Sequence, residues 1–226
     1  MYNFQVVETY LDGPVNLRSG ITDLEIIQTG GMTRLYAVTR AGGGITALDV
    51  GTQMTLIDQE VTAGNTVLPA PARLEMATLN GHASVIVMGA SQSRMGGYRL
   101  GADGSFGVAV SITASPSGVV TAQATAMVGG NALHYISMYG QSSIQCQRLA
   151  ANGEMVAVGT LVLGPNQQGI DSTSMITLQS GGQTYLAATS RVDDAVILFR
   201  VGATGILSPP PAPIIAVWLK DRKSVV

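Results

Sequence analysis

The chain has 226 residues, of which 46% are hydrophobic and only 12% charged, with 28 glycines and a net charge of −2. A chain of this kind can bury one large core or two small ones, and its charge excludes the basic patch that marks a nucleic-acid partner. Low charge with abundant glycine favours many short strands joined by tight turns over a helical bundle. Met1–Phe4 lacks the basic and apolar parts of an ordinary signal peptide, no apolar run is long enough to cross a membrane, and the single cysteine, Cys146, excludes an internal disulfide framework.

The same strand–turn–strand pattern recurs about every 50 residues along the chain. In the first three copies an apolar strand is followed by a short turn and a second strand, and corresponding residues of the two strands lie 14 positions apart. The fourth copy, aligned on Tyr185 and Val201, is longer by 2 positions, which predicts a longer loop at 191–194. The pairs of the first three copies are Tyr36 and Val50, Ile86 and Leu100, and Tyr135 and Leu149.

Two further strands complete the pattern. An apolar run precedes the first strand of every copy, and in the first three copies another strand follows a turn such as Asp103-Gly104, a hairpin signal because both residue types tolerate positive φ. Four antiparallel strands in each repeat predict the blades of a β-propeller, since a four-stranded sheet has two apolar faces that only its neighbours can cover. A β-sandwich with coincidental spacing is the alternative. The preceding runs are at 24–27, 74–79, 125–128 and 175–178, and the following strands at 54–57, 106–112 and 155–163.

The repeats divide the chain into a lead-in, four blades and a tail. The fold class is therefore all-β, a propeller of about four four-stranded antiparallel blades, and we expect a truncated ring because Pro209–Pro211 falls where the last strand of the fourth blade belongs. The predicted boundaries are 1–20 for the N-terminal strand and lead-in, 21–70, 71–119, 120–169 and 170–215 for the four blades, and 216–226 for the tail.

The tail differs in composition from the rest of the chain. Lys220 and Lys223 are its only lysines, and Asp221–Val226 resembles one reading frame of a sequencing adapter. We therefore expect a fragment of a longer protein with a non-native tail. A natural basic tail is the alternative.

The segment Leu35–Val50 carries a family resemblance. It reads Leu-Tyr-Ala-Val-Thr-Arg-Ala-Gly-Gly-Gly-Ile-Thr-Ala-Leu-Asp-Val, and it resembles the repeat of lactonase-like and YVTN-type β-propellers, with Arg40 in place of their Asn. The chain, including Ile21–Leu24, is also similar to the N-terminal propeller region of bacterial secreted RTX-type calcium-binding proteins, which implies export. The Gly-Gly-x-Gly-x-Asp repeats that bind calcium in those proteins do not occur in this sequence, so the resemblance implies no calcium role for it.

Loops between the second and third strands of the blades hold the candidate ligand-binding residues. Propellers bind ligands on the face around the central channel, and Arg grips carboxylates and sugar acids bidentately. Ordinary solvated loop residues are the alternative, and two adjacent aspartates fall short of the ligand number that Ca²⁺ takes, so we predict no metal and no cofactor. The candidates are Arg40, Arg94, Tyr139, Arg191, Asp193 and Asp194.

The two histidines and the cysteine have simpler interpretations. His82 falls in a hairpin turn, where exposure is expected, and His134 takes a strand position held elsewhere by Leu35 and Val85, which favours a packed side chain over a ligand. Cys146 lies mid-strand and is predicted to be a small buried hydrophobe.

These observations favour a non-catalytic binding or scaffold propeller, part of a larger exported bacterial protein, because no nucleophile motif such as Gly-x-Ser-x-Gly is present. One alternative is a lactonase-like hydrolase of a sugar lactone, as the resemblance implies, and another is a fragment without independent function. The expected partner is a small molecule, glycan or protein at the propeller face, with no nucleic acid and no membrane span. The expected location is extracellular or at the cell surface, with the cytoplasm as the alternative.

Overall fold

A computed structural model describes residues 20–29, 31–39, 44–61, 71–79, 81–89, 95–112, 120–150, 155–162, 172, 174–190 and 195–208. The elements that it describes are all β-strands, and none is a helix long and apolar enough for a membrane crossing. The strands are β1 (Ile21–Thr29), β2 (Met32–Thr39), β3 (Gly44–Val50), β4 (Met54–Val61), β5 (Pro71–Leu79), β6 (His82–Gly89), β7 (Met95–Leu100), β8 (Phe106–Ile112), β9 (Val120–Val128), β10 (Asn131–Met138), β11 (Ser143–Leu149), β12 (Met155–Val162), β13 (Met175–Ser180), β14 (Gln183–Ser190), β15 (Ala195–Val201) and β16 (Leu207–Ser208).

The strands form four sheets of four, each in chain order: β1 to β4, β5 to β8, β9 to β12 and β13 to β16. The described ladders between successive strands are antiparallel. Such up-and-down sheets repeated along a chain are propeller blades. The predicted fold class, an all-β propeller of four four-stranded antiparallel blades, is confirmed.

Glycine turns set the register of each blade. Gly31, Gly81, Gly130 and Gly182 end the first turn of the four blades with φ between 74° and 79°, a conformation that costs glycine little. The residue five positions after each glycine then pairs with the residue 11 positions further on. The pairs are Tyr36 with Ala47, Ile86 with Gly97, Tyr135 with Cys146, and Ala187 with Leu198.

The fourth pair corrects the alignment predicted from the sequence. Ala187, and not Tyr185, stands at the position of Tyr36, because Tyr185 lies two residues closer to its glycine turn and pairs with Arg200. From Ala187 to Val201 the distance is the same 14 positions as in the other copies. The fourth copy therefore has no additional loop residues.

The last strand of the fourth blade is short. β16 contains only Leu207 and Ser208, paired with Val201 and Arg200 of β15. Proline follows at 209, and a residue without an N–H cannot donate to the ladder. The predicted lead-in apart from Gly20, and the whole predicted tail at 216–226, lie outside the described residues.

The chain divides into two compact units. The first unit comprises Met1–Met76, His82–Ala90 and Met95–Ser111, and the second comprises Ala77–Gly81, Ser91–Arg94 and Ile112–Val226. Each has its own apolar core between two sheets, in the first unit around Tyr36, Val85 and Tyr98, and in the second around Tyr135 and Phe199. Burying such side chains is the main favourable term in folding.

One contact between blades occurs in both units. The hydroxyl of Tyr36 on β2 donates to the carbonyl oxygen of Gly104 at 2.9 Å, in the turn between β7 and β8. The hydroxyl of Tyr135 on β10 donates in the same way to Gly205, also at 2.9 Å, in the turn between β15 and β16. Both glycines have φ near +90°. The turn of one blade thus packs onto the tyrosine of the blade before it.

Candidate active site

The first strands of neighbouring blades lie side by side within each unit. In the first unit, the backbone N–H of Leu74 on β5 donates to Asp23 Oδ2 on β1 at 3.0 Å. In the second, Thr177 Oγ1 on β13 donates to the carbonyl oxygen of Thr125 on β9 at 2.5 Å. In propellers the first strands of neighbouring blades meet in this way at the inner edge of the blades, and propellers place their ligand sites near that edge.

A bulge at the start of β1 sets the direction of two acidic side chains. The register shifts between Ile21 and Asp23, so that the ladder skips Thr22, whose Oγ1 donates to the carbonyl oxygen of Val38 at 3.4 Å, and Asp23 pairs with Val38. From there the strand alternates, and Asp23 and Glu25 face the same side. Their Cα atoms are about 7 Å apart at the rise of an extended strand. Bulges often re-aim side chains near active sites.

Asp23 is held by the backbone on both carboxylate oxygens. Oδ1 accepts from the N–H of Leu24 at 3.1 Å, and Oδ2 accepts from the N–H of Leu74. These bonds fix the carboxylate between two blades. The negative charge is therefore held in place beside Glu25.

Glu25 is half-buried and stands opposite Tyr36 on β2. Burial raises the pKa of its carboxyl above the ordinary value, and the charge of Asp23 raises it further. Arg34, the buried cation of the same blade, pairs with Asp49 of β3 and donates to the carbonyl oxygen of Asp103 at 2.8 Å. A general acid donates a proton to the leaving group, and a carboxyl pKa raised in this direction suits that role.

Asp58 on β4 provides an internal comparison. It follows the bulge between β3 and β4, its Oδ1 accepts from Gln59 N–H at 2.8 Å, and its Oδ2 accepts from Phe106 N–H of the next blade at 2.7 Å. Asp58 thus makes the same two kinds of bond at the outer strand as Asp23 makes at the inner one. The two positions differ in the neighbouring carboxyl group. Beside Asp23, the pKa of Glu25 is raised by burial and by the charge of Asp23, and a raised carboxyl pKa suits the position to acid–base chemistry.

Of the predicted ligand-binding residues, only Tyr139 can be placed. Its ring is 65% exposed, in the turn between β10 and β11, where Gln141 N–H donates to the carbonyl oxygen of Met138 at 3.2 Å. The prediction of a ligand-binding role for Tyr139 stays a prediction. The other candidates lie outside the described residues: Arg40, Arg94, Arg191, Asp193 and Asp194.

The sequence interpretation missed Asp23 and Glu25. The available signal was the alternation Asp23-Leu24-Glu25-Ile26, which on a strand places two acids on one side. Within the described residues there is no group of three or more His, Cys, Asp and Glu side chains that could hold a metal ion.

No protein-family model matches the chain, and no curated protein matches it. Solved structures of similar fold do match. An α-L-arabinofuranosidase from Clostridium thermocellum is 16% identical with a TM-score of 0.59, over 82% of this chain and 70% of that one. A xyloglucan-locus GH43 protein from Bacteroides ovatus is 13% identical with a TM-score of 0.58, over 87% and 42%. An exo-β-1,3-galactanase from Phanerochaete chrysosporium is 11% identical with a TM-score of 0.59, over 84% and 49%.

These similarities establish the fold as a β-propeller. The chain spans less than half the length of the Bacteroides and Phanerochaete proteins. The prediction of a non-catalytic scaffold is contradicted, because the matching propellers named above include an arabinofuranosidase and a galactanase, both of which are hydrolases. The resemblance to RTX-type calcium-binding proteins finds no support in these comparisons.

Proposed function

We propose that this chain forms the propeller of a hydrolase that cleaves glycosidic bonds, with Glu25 as the residue that protonates the leaving group. The observation that carries the proposal is the half-buried Glu25 carboxyl on an inner strand, with a pKa raised by burial and by Asp23. Glycoside hydrolysis uses a protonated carboxyl beside the scissile bond, together with a second carboxylate. The fold shared with an arabinofuranosidase and a galactanase supports the same reaction class.

The same comparisons support a proposal for the substrate class. Glycosides of neutral sugars, such as arabinofuranosides, xylosides and galactosides, are the compounds named for the matching propellers. Polymeric glycans of this kind lie outside the cell, so we propose an extracellular or cell-surface location.

The test is release of reducing sugar from a panel of methyl glycosides by the full chain and by its Glu25→Gln variant, because a methoxide leaving group needs a proton from the general acid. Removing a general acid lowers the rate about 10²- to 10⁴-fold, so we expect kcat/KM to fall by at least a hundredfold. Glu60→Gln is the matched control, since Glu60 is also half-buried and lies on the fourth strand of the same blade. Equal rates for Glu25→Gln and Glu60→Gln would rule out this role for Glu25.

A sugar lactone belongs in the same panel. The resemblance of Leu35–Val50 to lactonase-like repeats is the observation that favours lactone hydrolysis as a second candidate. Proton release from an aldonolactone in a weakly buffered assay distinguishes the two reactions, because glycoside cleavage releases no acid. Turnover of the lactone with all glycosides untouched would favour this second candidate.

A further inference from the structure

Tyr36 on β2 and Glu25 on β1 stand directly opposite each other in the first blade. Directly opposite residues of antiparallel strands point to the same side of the sheet, with Cβ atoms about 4.5–5.5 Å apart. Tyr36 is 1% exposed, whereas Glu25 is half-buried. Across the ladder, the tyrosine ring is therefore the side chain that faces the Glu25 carboxyl.

The second blade fixes the position of the Tyr36 ring. The hydroxyl of Tyr36 donates to the carbonyl oxygen of Gly104 at 2.9 Å. The ring of Phe106 packs against Tyr36 with the two centroids 6.0 Å apart, and against Tyr98 at 5.4 Å, distances at which aromatic rings attract each other. Asp58 accepts from the backbone N–H of Phe106 at 2.7 Å. The Tyr36 ring is therefore held in place at its hydroxyl and at its face.

An apolar ring in this position acts on the carboxyl by excluding water. The charged form of a carboxyl group loses more by leaving water than the neutral form does. Burial is the larger cause of the raised pKa of Glu25. Burial also raises the pKa of Tyr36 to about 12, so Tyr36 is neutral where a carboxyl titrates. Tyr36 thus shields Glu25 without adding a charge.

The charged neighbours of Glu25 do not replace this shielding. Asp23 on the same strand raises the pKa of Glu25 less than burial does. Arg34 lies on the same side of β2 as Tyr36, and its charge is compensated by Asp49. On β5 the charged residues alternate with Leu74, which belongs to the core around Tyr36, and so lie on the other face of that strand. They are Arg73 and Glu75.

The third blade repeats the tyrosine without the acid. Tyr135 donates to the carbonyl oxygen of Gly205 at 2.9 Å, as Tyr36 does to Gly104. Its partner on the first strand of the blade is Ala124. A change at Tyr135 therefore disturbs an equivalent contact between blades with no carboxyl group opposite it.

We propose that Tyr36 is the positioning residue of the general acid: its ring, held by the second blade, shields the Glu25 carboxyl from water and keeps it in place on β1. The catalytic meaning of this inference rests on the proposed function, since only a glycoside hydrolase uses Glu25 as an acid. The shielding itself is a property of the folded chain and can be measured without a substrate.

The test is a pH titration by ¹³C NMR of the full chain labelled at its glutamate carboxyl carbons, with the Glu25 signal assigned from its loss in Glu25→Gln. We expect the pKa of Glu25 to move down towards the ordinary value of 4.5 in Tyr36→Leu. Tyr36→Phe, which keeps the ring, and Tyr135→Leu, the matched control, should leave that pKa unchanged. No shift in Tyr36→Leu, or an equal shift in Tyr135→Leu, would overturn the proposal.

The parent protein provides a second measurement should Tyr36→Leu fail to fold. A ring that faces the carboxyl gives NOE cross-peaks between the aromatic protons of Tyr36 and the Hγ protons of Glu25. Ala124 has no such side chain, so Tyr135 should show cross-peaks only to its methyl group across the ladder. Absence of the cross-peaks between Tyr36 and Glu25 would overturn the proposal.

The pH profile of hydrolysis connects the shielding to the reaction. The alkaline limb of kcat/KM reports the pKa of a general acid in the free enzyme. We expect that limb to move to lower pH in Tyr36→Leu, by the shift that the NMR titration measures, and to stay in place in Tyr135→Leu. A shift in the titration without hydrolysis by the parent would refute the proposed function and leave the shielding intact. Hydrolysis with an unmoved limb in Tyr36→Leu would refute the role of Tyr36 alone.

Discussion

The hydroxyl of Tyr36 and the carbonyl oxygen of Gly104 lie 2.9 Å apart, across the boundary between the first and second blades. Tyr135 and Gly205 repeat this relationship between the third and fourth blades. The contact joins a buried side chain to a turn in which a positive φ is required.

Replacing either tyrosine by phenylalanine removes the hydroxyl and keeps the ring. A net hydrogen bond contributes about 1 kcal/mol, and the carbonyl left behind loses its buried partner. We expect Tyr36→Phe and Tyr135→Phe each to lower the free energy of unfolding by about 1–2 kcal/mol, measured by denaturant titration. A loss in one variant alone would show that the two contacts are not equivalent.

Gly104→Ala tests the turn side of the same contact. A Cβ at Gly104 would lie 2.9 Å from the Tyr36 hydroxyl oxygen, and its φ of +88° already disfavours a side chain. Gly31→Ala is the matched control, because Gly31 has φ +79° and nothing within 4 Å of a Cβ. Strain alone costs about 1 kcal/mol. We therefore expect Gly104→Ala to lose more stability than Gly31→Ala, and equal losses would contradict the packing argument.

Asp58→Asn tests the carboxylate that joins the fourth strand of the first blade to the next blade. Asp58 accepts from Gln59 and Phe106 through separate oxygens, and an amide has only one oxygen. Hydrogen bonds to charged groups contribute about 1.5–3 kcal/mol, so we expect a loss of that order in thermal unfolding. Glu60→Gln, which removes a charge from the same strand, should change stability by less than half as much.

His134 makes stability depend on pH. Burial lowers its pKa from 6.5 to about 4 in the folded chain, so between these values the unfolded chain binds the proton and the folded chain does not. Stability should therefore fall as pH drops from about 6.5 to 4, by up to about 3 kcal/mol. His134→Gln should remove this part of the pH dependence, and His82→Gln should leave it. Parallel stability curves for the parent protein and His134→Gln would contradict the assignment.

Glu25→Gln should separate activity from stability. The pKa of Glu25 is raised by burial and by Asp23, so its ionisation costs the folded state more than the unfolded one. The contribution of the protonated carboxyl is complete below pH 4.5 and is lost as pH rises through the raised value. We expect Glu25→Gln to lose at least a hundredfold in kcat/KM and yet to be more stable than the parent at neutral pH, with the difference disappearing near pH 4. A variant less stable than the parent at pH 7 would show that the carboxylate is structural.

The sequence predicted the four blades well because strand periodicity and glycine turns are local signals. The fourth copy is misaligned because Tyr185 is aromatic like Tyr36 although it lies two residues closer to its glycine turn, and an aromatic side chain is a stronger local signal than the distance from Gly182. The contact of Tyr36 with Gly104 joins residues 68 positions apart and has no local signal. The same is true of Asp23, whose partner Leu74 is 51 positions away, and the raised pKa of Glu25 follows from burial that only the folded blade creates.

Two carboxylates of the first blade accept hydrogen bonds from the second blade, and this limits how far the blades of the chain are interchangeable. Asp23 and Asp58 both bond to the second blade, whereas Ala122 and Gly159 hold the corresponding positions of the third blade, opposite Ser137 and Cys146. If a copy of the third blade replaced the first, its Tyr135 could still donate to the carbonyl oxygen of Gly104. It would have no carboxylate at these positions to accept from the N–H groups of Leu74 and Phe106. The first and third blades therefore share a shape without being interchangeable, because at these positions only the first blade carries carboxylates that bond to the blade after it.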